Sequence, residues 1–156
     1  MAKVSREAKL GVSLESAVKV LSGRPFELLG GELASFSSAV FGLEVSHPVR
    51  VVPGELVTVD QPLDLAVLPF RLEADRGPGW FPVLDAELEV ISTADCGIDV
   101  ALEGEYHPPG GVLGSVVDRA GLHHLADDAI DQFFRSVVGR LRQDGAALDA
   151  LAGVPV

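Results

Sequence analysis

The 156-residue chain has a single cysteine, Cys96, and few cations, since 12 Lys and Arg stand against 23 Asp and Glu. One cysteine excludes an intramolecular disulfide framework and a zinc site built from cysteines. The formal charge of −11 opposes binding to nucleic acid or to an anionic membrane surface. The chain also lacks an apolar run of about 18 residues and an N-terminal apolar segment typical of a signal peptide. We therefore expect neither a membrane span nor secretion, and a cytoplasmic location.

What the chain does contain is enough apolar material for a core. Hydrophobic residues make up 47% of the sequence, which argues against disorder and predicts one compact domain over 1–156. Within that domain we interpret 1–9 as a charged lead-in and 146–156 as a loosely ordered tail. No repeat and no linker divides the chain.

Short runs of β-branched and aromatic residues, bounded by Gly, Pro and Asp, predict an antiparallel sheet through the middle of the chain. The candidate strands are 32–45, 48–53, 56–60, 64–74, 82–93 and 97–107. In the last two, apolar residues alternate with acidic ones, which gives one dry face and one acidic face. We predict a hairpin that turns at 94–97 and matches like faces. If residues near 87 and 103 lie opposite each other, Glu87 faces Glu103 at a cost of up to about 1 kcal/mol. Arg71, on a neighbouring strand, is the candidate cation to offset that repulsion.

The N-terminal third carries one weaker helical pattern. Apolar residues recur at helical spacing over 14–21, directly after Ser13, a candidate N-cap. A period-two pattern over 12–20 keeps a strand open as the alternative, and both fit an α+β domain. The segment 22–25 is interpreted as the stop, and 25–31 as a short turn packed by its own apolar residues.

The strongest pattern is a helix near the C-terminus. Its apolar residues recur from Leu122 to Leu141, about five turns, and Gln143-Asp144-Gly145 is interpreted as its end. A separate apolar stripe at 112–120 is out of phase with it. The sequence therefore predicts two helices or a sharp kink at Gly121.

A sheet with one dry face needs apolar cover, and the long C-terminal helix carries it. We expect an α+β fold in which a curved antiparallel sheet wraps around that helix. The residues expected on the inner face of the sheet are Phe70, Leu72, Leu84, Leu88, Leu102 and Tyr106. Those expected to face them from the helix are Leu125, Ala129, Phe133 and Val137.

Three segments resemble uncharacterised actinobacterial proteins: 79–88 (GWFPVLDAEL), 103–114 (EGEYHPPGGVLG) and 118–126 (DRAGLHHLA). Those proteins are similar to the START-like superfamily, also called SRPBCC or polyketide cyclase/dehydrase-like. The resemblance covers 79–142 and implies a helix-grip fold, with a cavity between helix and sheet that holds lipids, sterols, polyketides or other hydrophobic molecules. The superfamily has no universal catalytic motif, so the resemblance carries over no catalytic residue.

The resemblance directs the search for a site to the space between sheet and helix. The candidate ligand-binding residues are Phe70, Trp80, Leu84, Leu88, Leu102, Tyr106, Phe133 and Val137. The favoured function is binding of a hydrophobic small molecule without chemistry. One alternative is a cyclase, dehydratase or hydrolase with Tyr106 or His123 as the acid/base group. The other is a protein-interaction or homodimerisation module with an exposed apolar patch.

Neither a metal nor a cofactor is expected. Two His/Asp pairs at i, i+4 spacing, His123 with Asp127 and His124 with Asp128, resemble a pair of metal ligands. A third ligand is missing from the pattern, so we favour an exposed polar helix face that continues in an Asp131–Arg135 ion pair.

Three further residues invite a chemical role that the sequence does not favour. His47 and His107 each precede a proline, and we interpret both as strand ends. Cys96 lies in the predicted turn beside Asp95, whose charge raises the pKa of a thiol and disfavours a nucleophile.

Overall fold

The computed structural model describes residues 2–31, 33–40, 43–60, 64–74, 83–107 and 119–153, without the side chains of residues 2, 33–48, 74, 106 and 119–126. The elements in chain order are β1 (Ala2–Leu10), α1 (Leu14–Gly23), α2 (Pro25–Leu28), β2 (Leu33–Val40), β3 (Leu43–Pro53), β4 (Val57–Val59), β5 (Leu65–Ala74), β6 (Val83–Ser92), β7 (Ile98–His107) and α3 (Arg119–Ala152). Among these helices, none combines the length and the apolar composition that a membrane crossing requires.

The strands form one antiparallel sheet in the order β1-β7-β6-β5-β3-β2. The short strand β4 pairs with β5 over 65–67, beyond the part of β5 that pairs with β3. The predicted hairpin is confirmed: β6 pairs with β7, and the Thr93 amide donates to the Gly97 carbonyl at 2.9 Å across the turn. Its register places Glu87 opposite Glu103, so the like-charge pair considered from the sequence is present.

The prediction that a strand ends at His47 is wrong. Strand β3 runs through His47 and Pro48, which pair with β2. Pairing of β3 with β5 begins at Val49, so within the described strands Pro48 has a neighbour on one side. A proline nitrogen that faces an unpaired side removes no ladder hydrogen bond. The other histidine, His107, does end its strand, as predicted.

Helix α1 begins where the sequence predicted, because the Ser13 hydroxyl accepts the Ser16 amide at 3.2 Å and caps the helix. The predicted turn after it contains one further helical turn, α2, which begins at Pro25. Proline is favoured there, since its ring fixes a helical φ and its missing N–H would have no partner in the first turn. The two short helices pack against the main core through Leu21 and Leu28.

The lead-in predicted over 1–9 is wrong, because strand β1 occupies Ala2–Leu10 and pairs with β7 along its whole length. Its charged residues alternate with buried ones. Val4 and Leu10 are buried, whereas Lys3 and Lys9 are exposed. Except for Arg6, which pairs with α3, the charges that suggest a lead-in therefore lie on the outer face of an edge strand.

The helix end predicted at Gly145 and the loose tail over 146–156 are also wrong, since α3 continues to Ala152. Gly145 is buried against Val12, and a Cβ atom there would overlap the Val12 side chain. Glycine at this position permits close packing of two elements instead of ending the helix. Gly153, with φ of +73°, follows the last helical turn in the left-handed conformation typical of a helix C-terminus.

Helix α3 covers the inner face of the sheet. It is continuous through Gly121, and residues 108–118, which include most of the out-of-phase stripe, lie outside the described residues. Its backbone approaches β1 and β2, the two ends of the sheet order, so the sheet bends around it. Ala129, Phe133 and Val137 are buried in one core with the inner side chains of the sheet. The predicted α+β class and helix-on-sheet arrangement are confirmed.

Candidate ligand-binding site

The candidate site begins with the inner face of the central strands β5, β6 and β7. The register aligns their inner residues in rows across the sheet: Leu68, Leu88 and Leu102; Phe70, Ala86 and Gly104; Leu72 and Leu84, next to the backbone of Tyr106. The candidate residues Phe70, Leu84, Leu88 and Leu102 are each at most 4% exposed. Four of the sheet residues assigned to the site by the sequence therefore share one apolar surface.

Helix α3 brings two more candidates to that surface. The rings of Phe70 and Phe133 lie with centroids 5.5 Å apart at 40°, a tilted aromatic contact. Val137, one helical turn further along, is fully buried in the same core. The contact between Phe70 and Phe133 therefore shows that the helix faces the sheet here, as predicted.

Three candidates cannot be placed in this surface. Trp80 and the side chains of Tyr106 and His123 lie outside what the structure describes. Their roles in ligand binding, and the roles of Tyr106 and His123 as acid/base groups of an enzyme, stay predictions.

In the middle row of the inner face, the residues on β6 and β7 are small. Gly104 lies directly opposite Ala86, and a Cβ on Gly104 would come within 2.7 Å of the Ala86 Cβ. The two strands therefore approach closely where neither carries a bulky side chain. Phe70 from β5 and Val4 from β1 flank this low point of the inner face.

Polar contacts hold α3 at the edges of the apolar surface. Arg6, on β1, forms an ion pair with Asp131 and lies 3.7 Å from Asp127. The sequence predicts a pair between Asp131 and Arg135. It does not predict Arg6 as the partner, because the interpretation of residues 1–9 as a lead-in leaves them outside the sheet. At the other side, Arg140 donates to the Leu28 carbonyl at 3.2 Å and ties α3 to α2.

The C-terminal turns of α3 are held by a cluster that sequence reasoning missed, formed by Asp149, Ser13 and Ser16. Asp149 is 5% exposed and accepts from the Ser13 amide at 2.9 Å, the Ser13 hydroxyl at 2.5 Å and the Ser16 hydroxyl at 2.7 Å. Burial by itself raises the pKa of the Asp149 carboxyl, but the hydrogen bonds from the two serines outweigh burial and lower that pKa. No local pattern in the sequence indicates this cluster, because Asp149 lies in the predicted tail and its partners lie near the other end of the chain.

No metal site emerges from the parts of the chain that the structure describes. In these parts no three His, Cys, Asp or Glu side chains converge on one point. Asp127, one member of the predicted His/Asp pairs, is engaged by Arg6.

The opposite, outer face of the sheet carries a groove of about 750 Å³, which the sequence did not predict. It extends from β1 to β3, and its polar lining includes Lys3, Arg71, Glu87 and Glu103. Arg71 does not reach the facing pair Glu87 and Glu103, because it makes a two-point ion pair with Asp85 at 2.7 and 3.2 Å. Arg71, the candidate cation from the sequence, therefore neutralises Asp85 instead of offsetting the repulsion between Glu87 and Glu103.

Comparison with solved structures supports the architecture. Over 90% of this chain and 88% of the other, the hypothetical protein jhp0584 from Helicobacter pylori is similar with a TM-score of 0.51 at 13% identity. The chain has a helix-grip fold. In this helix-grip fold, α1 and α2 are the two short helices after the first strand, and α3 is the gripped helix.

Two other solved structures resemble the helix-grip chain less closely. Ara h 8.0201 has a TM-score of 0.49 at 11% identity, over 90% of this chain and 97% of the other. A conserved protein from Geobacillus kaustophilus has a TM-score of 0.49 at 12% identity, over 91% and 96%. No family model and no curated protein matches the sequence.

Proposed function

We propose that the chain binds a hydrophobic small molecule, a lipid, polyketide or similar compound, between the inner face of the sheet and α3. It does so without transforming the molecule, and it acts in the cytoplasm. The observation that carries the proposal is the apolar character of the facing surfaces. Phe70, Leu88 and Leu102 face Phe133 and Val137, whereas the charged contacts of α3 lie at its edges. An apolar surface with polar groups at its margin is typical of sites for hydrophobic ligands.

The low middle row supports the same location. Gly104 and Ala86 leave the inner face without bulky side chains, and the rings of Phe70 and Phe133 lie beside this position. A ligand that enters here contacts flat aromatic surfaces at little cost in side-chain entropy, because each ring has two rotatable bonds.

The topology also suggests where the ligand enters. The chain leaves β5 at Ala74, returns at Val83 and leaves β7 at His107, all at one end of the sheet. Trp80 belongs to the first of these connections, and Tyr106 is next to the second. We assign both to the entrance, in keeping with their predicted place in the site.

Native mass spectrometry followed by organic extraction tests the proposal. A hydrophobic compound that copurifies at a fixed stoichiometry supports it. Titration with 1-anilinonaphthalene-8-sulfonate provides a second readout, with saturable binding expected. A bare polypeptide mass together with no saturable dye binding contradicts it.

A matched pair of variants locates the ligand. Ala129→Leu adds volume beneath α3, where Ala129 is 3% exposed. Ala101→Leu adds the same volume on the outer face, beside Glu89. We expect Ala129→Leu to remove dye and ligand while unfolding normally, and Ala101→Leu to retain them. If the interior has no room, Ala129→Leu instead destabilises the protein by about 1–3 kcal/mol, the usual cost of overpacking.

A further inference from the structure

The outer face of the sheet has two different halves. The part formed by β4 and by residues 65–69 of β5, with Val52 at the end of β3, is apolar and partly exposed, whereas Arg71 and Glu73 lie further along β5. Val52 is 43% exposed, Val57 is 53% exposed and Val59 is 39% exposed. Val57 and Val59 pair with Val67 and Leu65 on β5, so the four side chains form one apolar stripe on the face opposite the core. Exposed contiguous apolar surface of this kind marks interaction sites.

The other half, formed by β6 and β7, is acidic. Its carboxylates are Asp85, Glu87, Glu89, Asp99, Glu103 and Glu105. The direct pairing of Glu87 with Glu103 disfavours the isolated sheet. Glu89 is half-buried beside Val67, and burial, followed by the charges of Glu103 and Glu87, raises its pKa. Of the cations nearby, Arg71 pairs with Asp85 and Lys3 lies opposite Glu105, so both act on carboxylates other than the facing pair Glu87 and Glu103.

The two stripes lie side by side along the strand direction. Two neighbouring strands span about 10 Å, which matches the diameter of an α-helix. A helix that rests on the boundary between β5 and β6 therefore contacts Leu65 and Val67 on one side and Glu87 and Glu89 on the other. Val57 and Val59 on β4, and Glu103 on β7, lie one strand further out. The groove on this face crosses β5 and β6 at 69–71 and 85–87, next to the apolar stripe.

We propose that the outer face is a docking site for a cationic amphipathic helix of a partner protein. The apolar side of that helix packs on Val57, Val59 and Val67, and its Lys or Arg side chains neutralise Glu87 and Glu103. Such recognition of an amphipathic helix by an apolar surface is a general mode of protein binding.

Charge selects this occupant over the others. The chain carries a formal charge of −11, so a second copy would bring a second acidic surface to the same region. Nucleic acid and anionic membranes are repelled for the same reason. A basic partner gains affinity and association rate from the acidic stripe.

Isothermal titration with a synthetic amphipathic Leu/Lys peptide of about 16 residues, roughly 24 Å as a helix, tests the site. A scrambled peptide of the same composition is the probe control. Glu87→Gln with Glu103→Gln removes acidic charge, and Val57→Thr with Val59→Thr removes apolar contact while keeping β-branched residues in the strand.

The matched control for the charge variant is Asp128→Asn with Asp144→Asn, which changes the net charge equally on exposed positions of α3. We expect each outer-face double variant to weaken peptide binding by roughly tenfold, with an effect below about twofold for the control. Equal weakening by both charge variants, or equal binding of the scrambled peptide, overturns the proposal. So does a homodimer that the Thr variants dissociate, as measured by analytical ultracentrifugation. Dye binding under α3 should not change in any of these variants, so failure here is distinct from failure of the proposed ligand function.

Discussion

Replacing Asp149 by alanine tests how α3 is held against α1. The carboxylate accepts three hydrogen bonds, two from Ser13 and one from Ser16. Alanine removes the acceptor and leaves the Ser16 hydroxyl, on a residue that is 4% exposed, without this partner. Ser13 is more exposed than Ser16, so water replaces part of what it loses.

The magnitude follows from these three contacts. A hydrogen bond to a charged group contributes about 1.5–3 kcal/mol. We count the Ser16 hydrogen bond in full, discount those of the partly exposed Ser13 and subtract the cost of burying the charge. We therefore expect the free energy of unfolding to fall by about 3 kcal/mol. For a chain of this size that corresponds to a fall in Tm of roughly 6–12 °C.

Urea unfolding followed by circular dichroism at pH 7 measures this loss. Asp144→Ala, an exposed position on the same helix, is the matched control and should change stability by less than about 0.5 kcal/mol. A loss for Asp149→Ala that is no larger than the control would refute the cluster formed by Asp149, Ser13 and Ser16.

The pH dependence provides an independent check. Because folding lowers the pKa of Asp149, the contribution of the carboxylate is complete above its unfolded pKa of about 3.9. It is lost as the pH falls through the lower folded value. The difference between the wild type and Asp149→Asn should therefore be constant from pH 7 to about pH 5 and should shrink below pH 4. A difference that grows on acidification contradicts the assigned direction.

Three further substitutions test the core, the helix packing and the acidic face. Phe133→Ala should destabilise by about 3–5 kcal/mol in urea unfolding, because it removes a buried ring that contacts β5, and a loss below about 1 kcal/mol would show that the helix faces elsewhere. Gly145→Ala should destabilise because its methyl group overlaps a core valine, whereas Gly139→Ala, in open space on the same helix, should stabilise by up to about 1 kcal/mol. If both changes stabilise, the close packing is wrong. Glu103→Gln should raise stability by a few tenths of a kcal/mol at low salt, roughly 0.01 M, and should lower the pKa of Glu89 in an NMR titration, since the charge of Glu103 helps to raise that pKa. An unchanged pKa of Glu89 contradicts the shared acidic face.

Strands β5, β6 and β7 could be predicted from sequence because each one alternates between a buried and a more exposed face. In β6, Leu84 and Leu88 alternate with Asp85 and Glu87, so one local pattern determines both the strand and its orientation. Alternation determines which face each residue occupies but not the register, so the pairing of Glu87 with Glu103 is known only from the structure.

Strand β1 and the end of α3 could not be predicted because the residues that determine them contact partners far away in the sequence. Strand β1 was missed because lysines and glutamate at its outer positions resemble a charged terminus, and its partner β7 lies about a hundred residues away. The end of α3 is predicted too early because a glycine such as Gly145 is typical of a helix end. Its actual role, close packing on Val12, depends on a contact from the other end of the chain.

The candidate site was predictable in its apolar residues and not in its polar surroundings. Phe70 and Phe133 belong to strong periodic patterns, and the structure brings their rings together. Arg6 and Asp149 carry no local signal, since a charged residue in sequence does not reveal its tertiary partner. The exposed valines of β4 were likewise assigned to a strand without an indication of which face they occupy.

The most direct test of the central claim is methyl NMR of the 13C-labelled protein during titration with the compound extracted from it, or with 1-anilinonaphthalene-8-sulfonate. Ligand binding beneath α3 should shift the methyl resonances of Leu88, Leu102 and Val137 and leave those of Val57 and Val67 unchanged. Shifts confined to Val57 and Val67, with Leu88, Leu102 and Val137 unaffected, would contradict a binding site between the sheet and its helix.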